Sequence, residues 1–161
     1  MLNKIKSSID FLLKWVLVVI MAVMTINVLW QVFSRFVLQN PSSFTEEFAR
    51  YMLIWVGILG ASYVAGQKMH LAIDLLPSKL MGKPKAYLEI FIELCIFVFA
   101  LVVMVIGGIR LVTITLMLNQ ISAALQVQLG YVYSIIPLSG ILMMFYSIYF
   151  IHQQFKNLKN A

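Results

Sequence analysis

Two carboxylates, Glu89 and Glu93, lie four residues apart within a long apolar stretch, and therefore on one face of a helix. At a rise of about 1.5 Å per residue, Glu93 is roughly 12 Å along the helix from Lys85. Ionisable side chains among apolar residues are candidates for binding protons or sodium ions in a membrane. The alternative is structural: Glu89 reaches the polar interface, and a basic residue of a neighbour neutralises Glu93.

A second group of charged residues lies at the ends of two apolar stretches. Glu46 and Arg50 are four residues apart, a spacing that allows an ion pair within one helix. Arg110 lies at the corresponding end of the third stretch, so a pair between Arg110 and Glu46 or Glu47 would tie two helices together. The same side chains could instead recruit a partner from outside the membrane, and both roles are compatible.

The sequence contains no pattern that predicts catalysis. It has no H-E-x-x-H motif, Gly-rich phosphate loop or nucleophile elbow. His70 and His152 lie near the ends of apolar stretches and are expected to be interfacial polar residues. Cys95 is the only cysteine, which excludes an internal disulfide, and its apolar surroundings predict an inert buried thiol. We therefore expect no enzyme activity, metal or cofactor.

The elements that carry these residues must be membrane helices. The chain has 161 residues, of which 62% are apolar, and its mean hydropathy of +0.95 lies far above that of soluble domains. If four apolar stretches are spans, all nine lysines lie on one side, and the three arginines lie at the opposite ends. The positive-inside rule then places both termini and the middle loop in the cytoplasm. The lysines border the spans, which favours contact with anionic lipids over nucleic-acid binding.

We predict an all-α integral membrane protein with four transmembrane helices and short interfacial amphipathic segments. It is a single membrane domain, residues 1–161. The spans are predicted at residues 15–34, 48–67, 86–109 with a continuation to 118 if the helix is tilted, and 131–151.

Several local features can be predicted within this arrangement. Residues 1–14 have apolar side chains at near-helical spacing, which indicates an amphipathic lead-in to the first span. Ser43 and Glu46 have the spacing of a capping box, so a helix is expected to begin there. The third apolar run is too long for one perpendicular crossing, and it either tilts or bends near Gly107 and Gly108.

Two stripes are typical of helix contacts inside a membrane. Polar side chains recur at helical spacing in the first span, at Asn27, Gln31 and Ser34. They indicate packing within the bundle, with a role in an ion or substrate path as the alternative. Small residues form a ridge in the second span, at Gly57, Ala61 and Ala65. Such a ridge allows another helix to approach closely, without saying which helix.

The stretch from Phe44 to Leu76 reads F-T-E-E-F-A-R-Y, then W-V-G-I-L-G-A, then H-L-A-I-D-L-L. It resembles the signature of the small (Q-type) membrane subunit of tripartite ATP-independent periplasmic (TRAP) transporters. The matching positions are Glu46, Glu47, Arg50, Tyr51, Trp55, Leu59, Gly60, Ala61, His70 and Asp74. The sequence departs from the family pattern at Phe44, at Met69 and at the Val127-Gln128 pair, where the family often has Trp, Gly and Ile-Pro.

The resemblance implies a function and a set of partners. In such systems a soluble periplasmic protein captures an organic acid, such as a dicarboxylate or sialic acid, and delivers it to the membrane. A large multi-span subunit carries the substrate and sodium sites, so sodium is not expected to bind this chain. The small subunit is expected in the bacterial inner membrane, where it scaffolds the large subunit and helps to dock the substrate-binding protein.

The resemblance also implies roles for individual residues. The outer rim would contain Glu46, Glu47, Arg50 and Arg110, which either dock the binding protein or fix the helices. Helix contacts would involve Trp55, Gly57, Gly60 and Ala61. His70 and Asp74 would secure the inner loop.

Two other classes of membrane protein have this size. A self-sufficient four-span multidrug exporter that acts as a dimer relies on an acidic residue in its first span, where this chain has only Asp10, in the lead-in. A membrane anchor of a redox complex needs haem ligands on facing helices, and none can be assigned.

Overall fold

The computed structural model describes residues 2–40, 42–68 and 83–160. Over these residues the chain is helical apart from its connections and one isolated β-bridge between Ile121 and Gln128. The helices are α1 (Leu2–Phe36), α2 (Ser43–Gly66), α3 (Lys83–Phe99), α4 (Gly108–Met117), α5 (Leu129–Tyr133) and α6 (Ile135–Asn160). A π-helical segment, Ala100–Gly107, joins α3 to α4 without a break.

Four stretches of helix are long and apolar enough to cross a membrane. They are Asn3–Phe36, Ser43–Gly66, Pro84–Met117 and Leu129–Lys156. The prediction of an all-α protein with four spans is confirmed. We call the end of the bundle bordered by the lysines the inner end and the opposite end the outer end.

α1 is one continuous helix, so the amphipathic lead-in and the first span are not separate elements. Leu13 is buried in the core, and Ile9 and Val16 pack partly buried against it. The intervals of four and three residues place these side chains on one face of α1. The aromatic residues near the inner end of α6 cover this face, so it does not contact lipid.

α2 begins one residue earlier than its predicted start. Ser42, not Ser43, is the N-cap: its backbone is extended, and its hydroxyl accepts a hydrogen bond from the Thr45 amide at 3.5 Å. The Thr45 hydroxyl donates in turn to the Ser42 carbonyl at 2.9 Å. Glu46 is therefore not the partner in a capping box, because its carboxylate faces two arginines instead.

The third span stays helical through both glycines and continues to Met117. Gly108 allows close packing against α6, whereas Gly107 is exposed. A Cβ atom at Gly108 would lie 2.9 Å from the Pro137 ring of α6, and one at Gly140 would lie 2.8 Å from the Met104 Cβ atom. The third span and α6 approach each other closely because neither has a side chain at these two points.

The helices pack in the order α1, α2, α6 and third span. α2 contacts both α1 and α6, and α6 contacts α3 and the π-helical segment. The buried core extends along the bundle, from Ile135 at the outer start of α6 to Leu13, Leu59, Tyr146 and Phe150 nearer the inner end. Gly66 allows the Tyr146 ring to lie directly against α2, since a Cβ atom there would be 2.5 Å from the ring. In this arrangement the third span and α1 have long faces that no other described helix covers.

Candidate docking site at the outer end of the helices

Three charged side chains at the outer ends of α1 and α2 form an exposed group, which we call the rim triad. An Nη2 atom of Arg35 lies 3.7 Å from Glu46 Oε2, and Arg50 Nη2 lies 3.5 Å from Glu46 Oε1. All three side chains are more than half exposed. Exposed pairs of this kind contribute only about 0–1 kcal/mol, so the triad remains available to a partner. The Glu46–Arg50 spacing was readable in the sequence, whereas Arg35 joins only because the helices meet.

Glu47 lies next to the triad but faces the other way. Its Oε2 atom accepts hydrogen bonds from the backbone amides of Ala124 at 2.7 Å and Leu125 at 2.8 Å. Its Oε1 atom accepts one from the Tyr51 hydroxyl at 2.7 Å. We call this arrangement the Glu47 clasp. Charge-assisted bonds to two consecutive amides are strong and directional, so the clasp fixes the connection between α4 and α5 to the start of α2.

The clasped connection is itself tightly folded. The Ser122 amide donates to the Val127 carbonyl at 2.9 Å, and the Leu129 amide donates to the Gln120 carbonyl at 2.9 Å. Gly130 then brings α5 onto α4, where a Cβ atom would lie 2.5 Å from Leu116. The connection between α4 and α5 is therefore held in one conformation by hydrogen bonds and close packing.

The predicted pair between Arg110 and Glu46 or Glu47 is wrong. Both carboxylates have other partners, as described above. Arg110 is exposed on α4 and forms no ion pair with any residue in the described ranges. The sequence placed Arg110 near the correct end of the bundle but not on the correct side, because α6 lies between the third span and α2.

At the inner end, Glu89 joins three helices. Its carboxylate pairs with Lys68 Nζ at 3.1 Å and with Lys85 Nζ at 4.0 Å, and it accepts a hydrogen bond from the Gln154 amide. Lys68 also lies over the Phe150 ring, 4.7 Å from its centre. These contacts favour a structural role for Glu89 over an ion-binding role, because the residue holds the ends of α2, α3 and α6 together. Within the described ranges, no three His, Cys, Asp or Glu side chains lie close enough to hold a metal ion.

Asp10 and Tyr146 form another contact between distant parts of the chain. The Tyr146 hydroxyl donates to Asp10 Oδ1 at 2.6 Å, and Lys6 Nζ lies 2.7 Å from Asp10 Oδ2. Lys6 is also within 6 Å of the Tyr146 ring centre. The one acidic residue of the first helix is thus used in packing α1 against α6.

Polar side chains between the two ends are used in helix contacts. Asn27 donates to the Thr45 carbonyl at 2.7 Å, and the Trp55 indole donates to the Val132 carbonyl at 3.1 Å. Ser62 and Ser139 hydrogen-bond to each other across α2 and α6. In the described part of the chain, every buried side-chain nitrogen or oxygen has a hydrogen-bond partner. The polar stripe of the first span therefore supports packing at Asn27.

The small residues of α2 have a different environment. Gly57 and Ala61 are exposed, and a Cβ atom at Gly57 or Gly60 would meet no atom within 4 Å. The ridge predicted from these residues is therefore not filled by the described residues of the chain. His70 and Asp74 lie outside the described residues.

Cys95 is exposed on α3, so the prediction of a buried thiol is wrong. An apolar neighbourhood in the sequence indicates burial in a soluble protein, but in a membrane protein it also describes a face that contacts lipid or another subunit.

Comparison with known proteins gives a consistent result. The family model for the DctQ component of the tripartite ATP-independent periplasmic transporters matches residues 24–157. The chain is similar to the sialic acid TRAP transporter permease protein SiaT of Haemophilus influenzae, with 30% identity over 71% of this chain and 18% of that protein. It is also similar to the small permease protein SiaQ of Vibrio cholerae, with 27% identity over 66% of this chain and 60% of that protein.

A putative TRAP transporter small permease protein of H. influenzae is 28% identical over 61% of each chain. The matched segment is thus less than two thirds of the length of each of these relatives. The four apolar helices and these similarities make the chain a multi-pass protein of the bacterial inner membrane, and a transporter component rather than an enzyme. The match over residues 24–157 shows that the chain belongs to the DctQ-component family, the small membrane subunits of TRAP transporters.

Proposed function

We propose that this small subunit scaffolds the large subunit of a sodium-coupled uptake transporter and helps to dock its periplasmic substrate-binding protein. The substrate class is an organic acid, with sialic acid favoured over a dicarboxylate by the names of SiaT and SiaQ. Sodium and substrate would bind to the large subunit.

One contrast inside the membrane carries the scaffolding role. The polar groups buried in the described part of the spans all have hydrogen-bond partners, whereas no described residue covers the small-residue surface of α2 at Gly57, Gly60 and Ala61. Small residues on an uncovered helix face let a second helix approach closely, which is the main source of helix association in lipid. In SiaT, a segment similar to this chain is a minor part of a longer permease protein, which supports close contact with a larger permease.

The rim triad supports the docking role. Its charges are exposed at the outer end, and exposed charges give a diffusing protein a faster and more specific encounter. The Glu47 clasp would contribute indirectly by fixing the surface beside the triad.

Co-purification with the large subunit tests the scaffolding role. The Gly57→Leu variant introduces a side chain into the open ridge, and Ala22→Leu, at a small residue on α1 that is also exposed, is the matched control. We expect Gly57→Leu to reduce the amount of large subunit retained by about tenfold, a loss of ~1.4 kcal/mol of association free energy. Equal retention of the large subunit by Gly57→Leu and the control would contradict the use of this ridge.

The alternative function, a self-sufficient exporter, predicts a different result when the chain is reconstituted alone. The purified chain, reconstituted alone, would move solute against a gradient. No observation favours this function, because Asp10 is engaged by Lys6 and Tyr146.

A further inference from the structure

The inner ends of α2, α3 and α6 share one level, because Lys68, Glu89 and Gln154 contact one another. Arg110 is 21 residues beyond Glu89 along the third span, which is about 30 Å at ~1.5 Å per residue. This distance matches the roughly 30 Å thickness of the hydrocarbon core. Met117 lies seven residues further, about 10 Å beyond that boundary, and a tilt near 20° shortens the distance only slightly.

The surface beyond the boundary carries a group of large exposed apolar side chains and no charged residue. Ile114, Met117, Leu118 and Ile121 surround the outer end of α4, and we call them the outer crown. Their exposed fractions are 43%, 76%, 63% and 52%. No charged residue occurs from Leu111 to Gly130. Large apolar side chains that are exposed together beyond the acyl chains indicate an interaction surface.

The crown continues an exposed stripe that lies within the membrane. Val103, Gly107, Arg110, Ile114 and Met117 follow one another at intervals of three or four residues, and all are exposed. Residues at this spacing lie on one side of a helix. A partner that covers the crown is therefore positioned to cover the membrane face below it as well.

Arg110 lies on this stripe at the level of the membrane boundary. It has no ion-pair partner among the residues of the described ranges. A protein partner that covers this face and excludes lipid phosphates and water would stabilise the guanidinium with an acidic group at the same height.

We propose that the outer crown and Arg110 form a docking surface for the large multi-span subunit, which presents an apolar surface to the crown and a carboxylate to Arg110. The inference rests on the proposed scaffolding function. With a hydrocarbon core of about 30 Å that starts at the Glu89 level, the lipid acyl chains end below the crown. A soluble binding protein that dissociates in each cycle would leave the crown in water, and non-obligate interfaces are generally less apolar than permanent ones. A membrane-embedded, permanently bound protein fits both parts of the surface.

Photo-crosslinking in the assembled complex tests the proposal. The small subunit, carrying a photoreactive phenylalanine analogue at position 117, is co-expressed with the large TRAP subunit of the same organism and irradiated in the presence of the binding protein. The control places the analogue at position 50, a similarly exposed side chain of the rim triad on α2. We expect a covalent adduct with the large subunit from position 117 and not from position 50.

Charge reversal gives a second readout. Arg110→Glu should lower the retained large subunit by about tenfold, whereas Arg110→Lys should retain most of it, because the positive charge is kept. The side chain is exposed, so neither change should alter the thermal stability of the isolated small subunit.

The outcomes separate the two proposals. If the unmodified small subunit does not co-purify with the large subunit, the scaffolding function and this inference both fail. If the two subunits co-purify but position 117 crosslinks only to lipid, only to the binding protein or to nothing, the crown is not the interface and the inference alone is overturned.

Discussion

The outer ends of α2 and α4 lie at similar heights above the inner Glu89 level, yet their surfaces are opposite in character. α2 carries Glu46, Glu47 and Arg50 in its first two turns, and α4 ends in exposed Ile114 and Met117. A charged exposed surface suits a partner that arrives from water and leaves again, whereas an apolar one suits a partner that stays. This difference is the basis of the proposal that the small subunit presents two different surfaces to two classes of protein.

The two surfaces are also mechanically connected. The Glu47 clasp holds the connection between α4 and α5 against α2, and Gly130 holds α5 against α4. Disturbing either contact should therefore change the relation between the two surfaces, and not only the residue that is replaced.

The largest effect is expected from Gly130→Val. The new Cβ atom would lie 2.5 Å from the Leu116 side chain, so α5 must move away from α4. Overpacking of this kind costs about 1–3 kcal/mol of unfolding free energy, which thermal unfolding of the purified small subunit measures. Gly57→Ala, whose added methyl group meets no atom within 4 Å, is the control. Equal stability of both variants would contradict the packing of α5 on α4.

A second large effect is expected from Glu47→Gln. The neutral amide loses the charge that strengthens the bonds to Ala124 and Leu125 and presents an NH2 group in the same space. We expect faster hydrogen exchange at these two backbone amides, measured by mass spectrometry. Glu46→Gln should leave that exchange unchanged. In the described ranges, the Glu46 carboxylate forms ion pairs with Arg35 and Arg50 and not with the connection between α4 and α5. If Glu46→Gln accelerated exchange as much as Glu47→Gln, the distinction between rim triad and clasp would be lost.

A smaller effect is expected from Glu46→Arg. Reversing the central charge of the rim triad should change the association rate of the binding protein by several-fold, and added salt should reduce the difference. The stability of the small subunit should change by less than about 1 kcal/mol, since the pairs are exposed. Uptake into vesicles at limiting binding protein measures the first quantity. An unchanged rate at low salt would argue against docking at the triad.

The smallest effect is expected from replacing Cys95 by Ser. The thiol is exposed on α3, and the described structure gives it no disulfide partner. Co-purification and thermal stability should both stay close to those of the unmodified chain. A large loss of co-purified subunit would instead reveal that the inner part of the third span also contacts a partner.

The sequence predicted the membrane helices well because hydropathy and lysine distribution depend only on composition along the chain. It could not predict contacts whose partner is the backbone or lies far away in sequence. The Glu47 clasp uses amide groups that every residue possesses, and Asp10 meets Tyr146 across 136 positions. Arg110 was placed at the correct end of the bundle, but its side depends on the packing order of the helices, which periodicity alone does not give.

Cys95 and Gly57 show a second limit. In lipid, an apolar or small residue is equally compatible with the interior of the chain and with its outer face, so composition does not distinguish them. The structure places both on the outside. The small ridge at Gly57 was predicted as a contact surface, but only the structure shows that the described part of the chain leaves it open.

The most direct test of the two-surface account measures both associations for one pair of variants. Met117→Glu places a charge on the apolar end, and Arg50→Glu reverses a charge on the polar end. The account predicts that Met117→Glu releases the large subunit while Arg50→Glu retains it and weakens capture of the binding protein by the purified complex. If both variants lose the same partner to the same degree, the two ends form one surface and the account is contradicted.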